Sequence, residues 1–112
     1  MFLVALIIVV PERIAAQSSG NIFGQSGSYP GIRVGLSPIA IAVNPNTNTV
    51  YVANQDSNSV TVIDGQTTKT RDILVGINPS SIAVDPISNR VLVANYGSNT
   101  VTVIDGKTNR LV

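Results

Sequence analysis

Short runs of apolar, β-branched residues alternate with clusters of Asn, Asp, Ser, Gly and Pro from residue 32 to the end of the chain. Each run is about five or six residues long, the usual length of a β-strand, and none follows the 3.6-residue period of an amphipathic helix. The pattern predicts seven strands: Ile39–Val43, Thr49–Asn54, Ser59–Asp64, Lys69–Val75, Ser80–Val84, Arg90–Asn95 and Thr100–Asp105.

A sequence repeat underlies this strand pattern. When the chain is shifted by 41 residues, residues 32–69 align without a gap on residues 73–110, and 22 of the 38 positions are identical. Identity at this level does not arise by chance, so the chain holds two copies of one structural unit. The turn signals recur as well: Asn-Pro or Asp-Pro, then Ser-Asn, then Asp-Gly, all of which favour tight reversals.

Each unit predicts a four-stranded antiparallel meander, so the fold class is all-β. The first strand, Ile39–Val43, is apolar on both alternating sides, which predicts burial on both faces of its sheet. Blades packed radially around an axis meet that demand, because every sheet then has a neighbour on each face. We therefore predict two tandem blades of an incomplete β-propeller, since closure usually takes about four to eight blades.

Two stretches carry a family resemblance, Val50–Asp64 and the parallel stretch 91–105. They resemble the YVTN family of β-propeller repeats, and the signature tetrad reads Tyr-Val-Ala-Asn in the first copy and Leu-Val-Ala-Asn in the second. The resemblance covers residues 32–112. It implies an extracytoplasmic or cell-surface propeller, often surface-layer-like, but no single ligand or reaction, since related propellers include binding modules, lactonases and quinoprotein or haem-linked dehydrogenases.

The alignment places a first blade with a leading strand at residues 32–72 and a truncated second blade at 73–112. Ile32–Gly35 aligns with the fourth strand of a blade, whereas Arg110–Val112 aligns only with Lys69–Arg71, so the second blade is predicted to lack its fourth strand. Two arrangements stay open. Either the chain is a fragment of a longer propeller, or copies join head to tail, each lending residues 32–35 to the open blade of a neighbour.

The N-terminal segment predicts targeting. Residues 2–10 are apolar and would rise about 13 Å as a helix, less than the ~30 Å of a bilayer core, so no stable membrane span is expected. A secretory signal over 1–16 fits, although no Lys or Arg precedes the apolar run; a buried strand or a start inside a longer signal are the alternatives. Residues 17–31, rich in Ser and Gly, predict a linker. We expect a secreted or cell-surface protein.

Composition narrows the chemistry. The chain has no Cys and no His, which excludes thiolate nucleophiles, His-based metal sites and a Ser-His-Asp triad within it. A net charge of +1 gives no footprint for nucleic acid. Apolar residues make up 44% and charged residues 12%, more hydrophobic surface than a small solvated domain needs. We expect other blades or further copies as partners, and no catalytic residue, cofactor or metal.

Several polar residues recur, and each has a structural and a functional interpretation. Asp64 and Asp105 precede Gly and are typical of turn residues that accept a backbone hydrogen bond, rather than of a catalytic carboxylate pair. Asn54, Asn58, Asn95 and Asn99 cap turns or present amides to a sugar, and capping is favoured. The cations Arg33, Lys69, Arg71, Arg90, Lys107 and Arg110 are scattered, which indicates solvated or edge-protecting roles. Asp56 and Asp72 have no acidic counterpart in the other copy and are expected to be solvated.

The tyrosines differ between the copies. Tyr51 is predicted to lie in the core, whereas Tyr96 falls in a turn and is the better candidate for an exposed contact; the ligand and its binding residues are unknown. The function predicted is a non-catalytic interaction or surface scaffold. The alternatives are a lactonase-like or dehydrogenase-like propeller enzyme whose catalytic residues lie in absent blades, and a purely structural repeat.

Overall fold

The computed structural model describes residues 30–112 and confirms the all-β prediction. Two four-stranded antiparallel sheets follow one another in chain order, β1 to β4 in sheet 1 and β5 to β8 in sheet 2. They are two blade-like repeats that do not close a ring. The strands are β1 (Pro38–Asn44), β2 (Thr49–Asn54), β3 (Ser59–Asp64), β4 (Thr70–Leu74), β5 (Pro79–Asp85), β6 (Arg90–Asn95), β7 (Thr100–Asp105) and β8 (Arg110–Leu111).

The predicted signal segment (1–16) and all but the last two residues of the predicted linker (17–31) lie outside the described residues. Within residues 30–112, no helix is long and apolar enough to cross a membrane.

The prediction that the second unit lacks a fourth strand is wrong, because β8 pairs with Ile104 and Asp105 of β7. The turn before it explains the result. Asn109 donates its backbone N–H to the carbonyl of Asp105 at 2.7 Å, as Thr68 does to Asp64 in sheet 1. The Asp-Gly turn therefore reverses the chain and starts the fourth strand in both copies.

The turns depend on asparagines in the left-handed region. Eight non-glycine residues have positive φ within the described part of the chain, and six of them are Asn. Asn tolerates this conformation better than other residues with a Cβ, since its short side chain bonds locally. The recurring Asn48 with Asn89, and Asn58 with Asn99, are such turn positions.

Side chains that lie opposite each other on paired strands share a face, and we call the two faces of each sheet A and B. Face A carries Ile41, Val43, Val50, Val52 and Ile63 in sheet 1, and Ile82, Val84, Val91, Val93 and Ile104 in sheet 2. Face B carries Tyr51, Ala53, Val60, Val62 and Ile73 in sheet 1, and Leu92, Ala94, Val101 and Val103 in sheet 2.

Face B of sheet 1 packs on face A of sheet 2. Tyr51 and Val60 lie in one buried cluster with Val91, Val93 and Ile104. Burying these side chains is the main favourable term that holds the two sheets together, at roughly 1.5–3 kcal/mol for each fully buried aliphatic side chain. The sheets are therefore stacked in one fixed order, with opposite faces left outside.

The exposure of side chains on β1 contradicts the prediction that the first strand is buried on both faces of its sheet. Ile39 and Ile41 of β1 are 47% and 68% exposed. A strand is buried on both faces only when a sheet covers each of them, and within residues 30–112 face A of sheet 1 is packed by Ile32 and Val34 rather than by another sheet. Face B of sheet 2 is more open, with Leu92 40% and Val101 60% exposed, whereas Val50, Val52 and Ile63 on face A of sheet 1 are buried.

The segment 32–37 sits on sheet 1 as residues 73–78 sit on sheet 2. Gln55 N donates to Ser37 O, and Leu36 N donates to Ser57 Oγ. The equivalent bonds in the second copy run from Tyr96 N to Asn78 O and from Ile77 N to Ser98 Oγ. The end of β4, the outer strand of sheet 1, leads into the segment that packs against sheet 2. Residues 32–34 occupy the equivalent position against sheet 1.

Gly76 lies so close to neighbouring side chains that there is no room for a Cβ. We therefore predict that adding one methyl group here destabilises the fold. A Cβ at this position would lie 2.6 Å from Cγ and Nδ2 of Asn95 and from Oγ of Ser98. The Gly76→Ala variant is expected to lose about 1–3 kcal/mol of unfolding free energy, since the crowded groups are held by their own hydrogen bonds. Urea denaturation followed by circular dichroism measures it.

The control is Ser81→Ala, an exposed position on β5, where we expect a change within about 0.5 kcal/mol. Equal stabilities of the two variants would contradict the packing role of Gly76.

Candidate functional site

The two recurring aspartates act as turn residues. Asp64 Oδ1 accepts the backbone N–H of Gln66 at 2.8 Å, and Asp105 Oδ1 accepts that of Lys107 at 2.8 Å. Asp85 does the same for Ile87 and also accepts the hydroxyl of Ser88. These carboxylates accept hydrogen bonds from the backbone of their own turns, which supports the structural interpretation of Asp64 and Asp105.

Because of these hydrogen bonds, the stability of the fold should depend on pH. The backbone N–H of Gln66 lowers the pKa of Asp64, and the hydroxyl of Ser88 lowers the pKa of Asp85. A carboxyl whose pKa is lower when folded stabilises the fold above its unfolded pKa, and that contribution is lost as the pH falls through the folded value. We therefore expect stability to decline below about pH 4, where unperturbed carboxyls titrate.

The Asp85→Asn variant separates charge from hydrogen bonding. Asn44, at the equivalent position in sheet 1, already accepts the N–H of Asn46 through its amide oxygen at 3.0 Å. The variant should keep the turn at neutral pH and show a shallower loss of unfolding free energy between pH 5 and 2 in denaturation curves, because the amide has no carboxyl pKa that differs between the folded and unfolded states. An unchanged slope in the variant would contradict the assignment.

The recurring Asn54 and Asn95 are buried. Asn54 Nδ2 donates to Ser59 Oγ at 3.1 Å and to Thr61 Oγ1 at 2.8 Å, and Asn95 makes the same two bonds to Thr100 and Thr102. Neither amide is accessible to a ligand, because the residues are 0% and 2% exposed. The structure therefore favours turn fixing over sugar binding at these two positions.

Asn58 links the two sheets. Its Oδ1 accepts the backbone N–H of Asn78 at 2.9 Å, and Asn78 Nδ2 donates to the carbonyl of Gln55 at 3.2 Å. Asn99, the equivalent of Asn58, is exposed at the outer side of sheet 2. The same residue type thus bridges blades in one copy and is left open in the other.

Cations that look scattered in the sequence meet in one groove. Lys69 and Arg71 of the β3–β4 hairpin line a cavity of about 370 Å³ together with Asp64. The remaining walls are Thr47, Asn48, Thr49, Val62, Gln66, Thr70 and, from the other sheet, Asn109. We call this cavity the hairpin groove. Lys69 and Arg71 are both exposed, as expected for solvated cations, and they lie two residues apart on the same hairpin.

The hairpin groove has unused hydrogen-bonding capacity. The Oδ1 atoms of Asn48 and Asn109 are buried and have no hydrogen-bond partner within residues 30–112. The Oδ1 atoms of Asn54 and Asn95 are buried without a partner in the same way, so such atoms do not by themselves mark a ligand site. The polar side chains of the groove that a ligand can reach are the exposed Asp64, Lys69 and Arg71. Among residues 30–112, no group of three or more His, Cys, Asp or Glu side chains could hold a metal ion.

The tyrosines lie where they are expected. Tyr51 is fully buried, and burial raises the pKa of its phenol. Tyr96 is 78% exposed and lines a shallower cavity of about 350 Å³ with Ser80, Asn99 and Val101 on the open side of sheet 2. Tyr96 is therefore available for an exposed contact.

Sequence reasoning missed Asn48 and Asn109 as members of a groove. The β3–β4 register places Arg71 opposite Val62, which the hairpin pattern alone could have indicated. Asn109 comes from the second repeat, and only the stacking of the sheets brings it to this groove.

No protein-family model and no curated protein matches the chain. Among solved structures, the chain is similar to one from Kuenenia stuttgartiensis hydrazine synthase, with 29% identity and a TM-score of 0.64. The similarity covers 77% of this chain and 26% of that one, so this chain spans about a quarter of the structure that it matches.

Proposed function

We propose that this chain is an extracytoplasmic β-propeller repeat module of the YVTN type that acts as a non-catalytic interaction scaffold. The observation that carries the proposal is the hairpin groove, where the exposed side chains of Lys69 and Arg71 offer donors and that of Asp64 offers an acceptor. The sequence has no His or Cys to act as base or thiolate nucleophile there. Such a groove suits binding of a polar polymer of the cell surface rather than its chemical conversion.

The apolar leader and the family resemblance support an extracytoplasmic location, and the net charge of only +1 supports a surface that does not bind nucleic acid. Carbohydrate is the ligand class that fits best, because hydroxyls can donate to the carboxylate of Asp64 and accept from the cationic side chains of Lys69 and Arg71.

Retention of the purified chain on an array of glycans and cell-wall polymers tests the proposal. The Arg71→Ala variant should weaken retention about tenfold or more, as expected for loss of a charge-assisted hydrogen bond. Arg90→Ala is the matched control, because Arg90 is exposed and outside the groove. Absence of retention, or equal retention of both variants, would argue against the groove.

A second candidate is a part of a propeller enzyme, and the similarity to hydrazine synthase favours it. In that case the catalytic residues would lie in blades other than the two described here. Elemental analysis and an absorption spectrum of the purified chain test whether part of a cofactor site lies in these two blades: a stoichiometric metal or chromophore would favour the enzyme.

A further inference from the structure

The hairpin groove carries more positive than negative charge. Among the lining residues that the structure describes, Lys69 and Arg71 are the cations and Asp64 is the anion, and all three side chains are exposed. The other lining side chains are uncharged, so two positive charges face one negative charge. A ligand that brings a negative charge of its own would balance this excess, whereas a neutral ligand would not.

The carboxylate of Asp64 is partly engaged in its own turn. Its Oδ1 accepts the backbone N–H of Gln66 at 2.8 Å and that of Thr67 at 3.3 Å. The second oxygen is left to accept a hydrogen bond from a ligand. Lysine and arginine side chains, by contrast, carry several N–H donors and no acceptor. The groove therefore offers more donors than acceptors, which suits a ligand with an anionic acceptor.

The next carboxylate along β4 faces away from the groove. Asp72 follows Arg71 in the strand, but it pairs with Thr61, whereas Arg71 pairs with Val62. Asp72 Oδ1 accepts the hydroxyl of Thr61 at 2.6 Å, and Asp72 does not line the groove. Successive side chains of a strand point to opposite faces, so the carboxylate of Asp72 is separated from the guanidinium of Arg71. The charge of Arg71 stays available to a ligand.

The repeat does not need a cation at position 71. A shift of 41 residues places Arg110 at the position of Lys69, but Val112 at the position of Arg71. The fourth strand nevertheless starts after the same Asp-Gly turn in both copies and pairs with the third strand. Since one copy forms this hairpin without the second cation, the pair of cations belongs to the hairpin groove and not to the requirements of the fold.

The groove has little apolar surface for a neutral sugar ring. No aromatic side chain occurs among its lining residues within 30–112, and Val62, the apolar one, is buried. Aromatic side chains would supply a large apolar contact area. Without them, affinity has to come from hydrogen bonds, and those with a charged partner are roughly twice as strong as neutral ones. Charge is therefore the feature by which this groove distinguishes its ligands.

We propose that the hairpin groove selects acidic sugars, those with a carboxylate on the ring, over neutral sugars. The planar guanidinium of Arg71 matches the two oxygens of a carboxylate, Lys69 adds a second positive charge, and the free oxygen of Asp64 accepts a hydroxyl of the same sugar. The cavity, at about 370 Å³, is at the small end of the ~300–1,000 Å³ range of ligand pockets, so it takes a short stretch of a polymer. This inference rests on the proposed function and deepens it.

Nucleic acid fits this groove less well than an acidic sugar. Proteins that bind single strands stack the bases on aromatic side chains, but Tyr51 is fully buried and Tyr96 lines a different cavity. The closely spaced phosphates of a duplex would also meet the carboxylate of Asp64. A sugar with one carboxylate and several hydroxyls can use the cations and the anion of the groove together.

Calorimetric titration of the full chain with two matched trisaccharides tests the proposal. The acidic one is trigalacturonate, and the neutral one is the galactose trisaccharide of the same linkage, in which a hydroxymethyl group replaces each carboxylate. At low salt we expect the acidic trisaccharide to bind about tenfold tighter, which corresponds to two exposed ion pairs of about threefold each. The ratio of the two affinities should fall as added salt screens these charges. Equal affinities at low salt would overturn the proposal.

Variants of the groove should shift this ratio in opposite directions. Arg71→Ala and Lys69→Ala each remove one cation and should lower the ratio about threefold, and the double variant should abolish the preference. Asp64→Asn removes the anion and should raise the ratio, since it relieves repulsion of the acidic trisaccharide and takes an acceptor from the neutral one. The turn should survive, because Asn44 accepts the same kind of backbone hydrogen bond between β1 and β2.

Arg33→Ala is the matched control for overall charge. Arg33 is exposed and does not line the groove, so this variant loses one positive charge, as Arg71→Ala does, and should keep the wild-type ratio. An equal fall of the ratio in Arg33→Ala and Arg71→Ala, or a fall in Asp64→Asn, would contradict the proposal. Circular dichroism of each variant checks that the fold is kept.

Nuclear magnetic resonance of the backbone amides locates the bound sugar directly. Trigalacturonate should shift the signals of Gln66, Thr70 and Arg71, which line the groove. The signals of Tyr96 and Val101, which line the other cavity, should stay in place. Shifts confined to Tyr96 and Val101 would place the ligand in that cavity and overturn the assignment to the hairpin groove.

Failure of this inference differs from failure of the proposed function. Equal binding of the two trisaccharides, or retention on the glycan array without binding of either, would overturn the preference for acidic sugars and leave the groove as a glycan site. Neither retention nor binding would overturn both. Binding of single-stranded DNA as tight as that of trigalacturonate would indicate a general attraction for polyanions, and that result would also overturn the preference for acidic sugars.

Discussion

Replacing Tyr51 by Ala is expected to lower the free energy of unfolding by about 3–5 kcal/mol, the range for removing a buried aromatic side chain. Tyr51 is fully buried on face B of sheet 1, in the cluster that joins the two sheets. Its removal leaves a cavity at the sheet interface that neighbouring side chains can fill only in part. Urea denaturation at a fixed protein concentration measures the loss, since association would also change apparent stability.

Two variants make this prediction specific. Leu92 is the repeat equivalent of Tyr51 but is 40% exposed on the open face of sheet 2, so Leu92→Ala should cost much less. Tyr51→Phe should be neutral or stabilising, because the phenol oxygen is buried without a hydrogen-bond partner within residues 30–112. Equal losses at positions 51 and 92, or a large loss in Tyr51→Phe, would contradict this account of the interface.

The Asn54→Ala variant is expected to lose about 2–4 kcal/mol, from two hydrogen bonds and the cavity that the amide leaves. Asn54 donates to Ser59 and Thr61, and Thr61 in turn donates to Asp72 Oδ1 at 2.6 Å. The amide therefore anchors a polar chain that crosses three strands of sheet 1. Thermal and urea unfolding both report on its loss.

The second repeat provides the matched control. Asn95→Ala removes the same two hydrogen bonds, but its partners Thr100 and Thr102 are more exposed than Ser59 and Thr61, so water can replace the lost donor. We expect about half the loss in stability. A larger effect at Asn95 than at Asn54 would show that solvent access does not set the cost.

The sheet architecture could be predicted from the sequence because its signals are local and occur twice. Four strands, among them Thr49–Asn54 and Ser59–Asp64, have the predicted bounds, since turn residues stand directly at their ends. The turn roles of Asp64 and Asp105 follow in the same way, because the bonded N–H lies two residues away. β8 was missed because a fourth strand was judged by its length rather than by the Asp-Gly turn that starts it.

The hairpin groove could be predicted only in part. Hairpin pairing brings Arg71 near Val62 and Asp64 near Lys69, and these contacts are short-range. Asn109 is 38 or more residues away from every one of them along the chain. Its position depends on how the second sheet stacks on the first, which alternation of apolar and polar residues does not specify.

By itself, the sequence determined the strands, the turns and which side chains share a face, because a period of two residues and the turn chemistry act over a few residues. Only the tertiary structure decided which faces are covered. Ile41 and Ile82 are the same residue at equivalent positions, yet Ile41 is exposed while Ile82 packs in the core cluster. The difference lies in the neighbouring sheet, since burial depends on what packs against a face and not on the residues that form it.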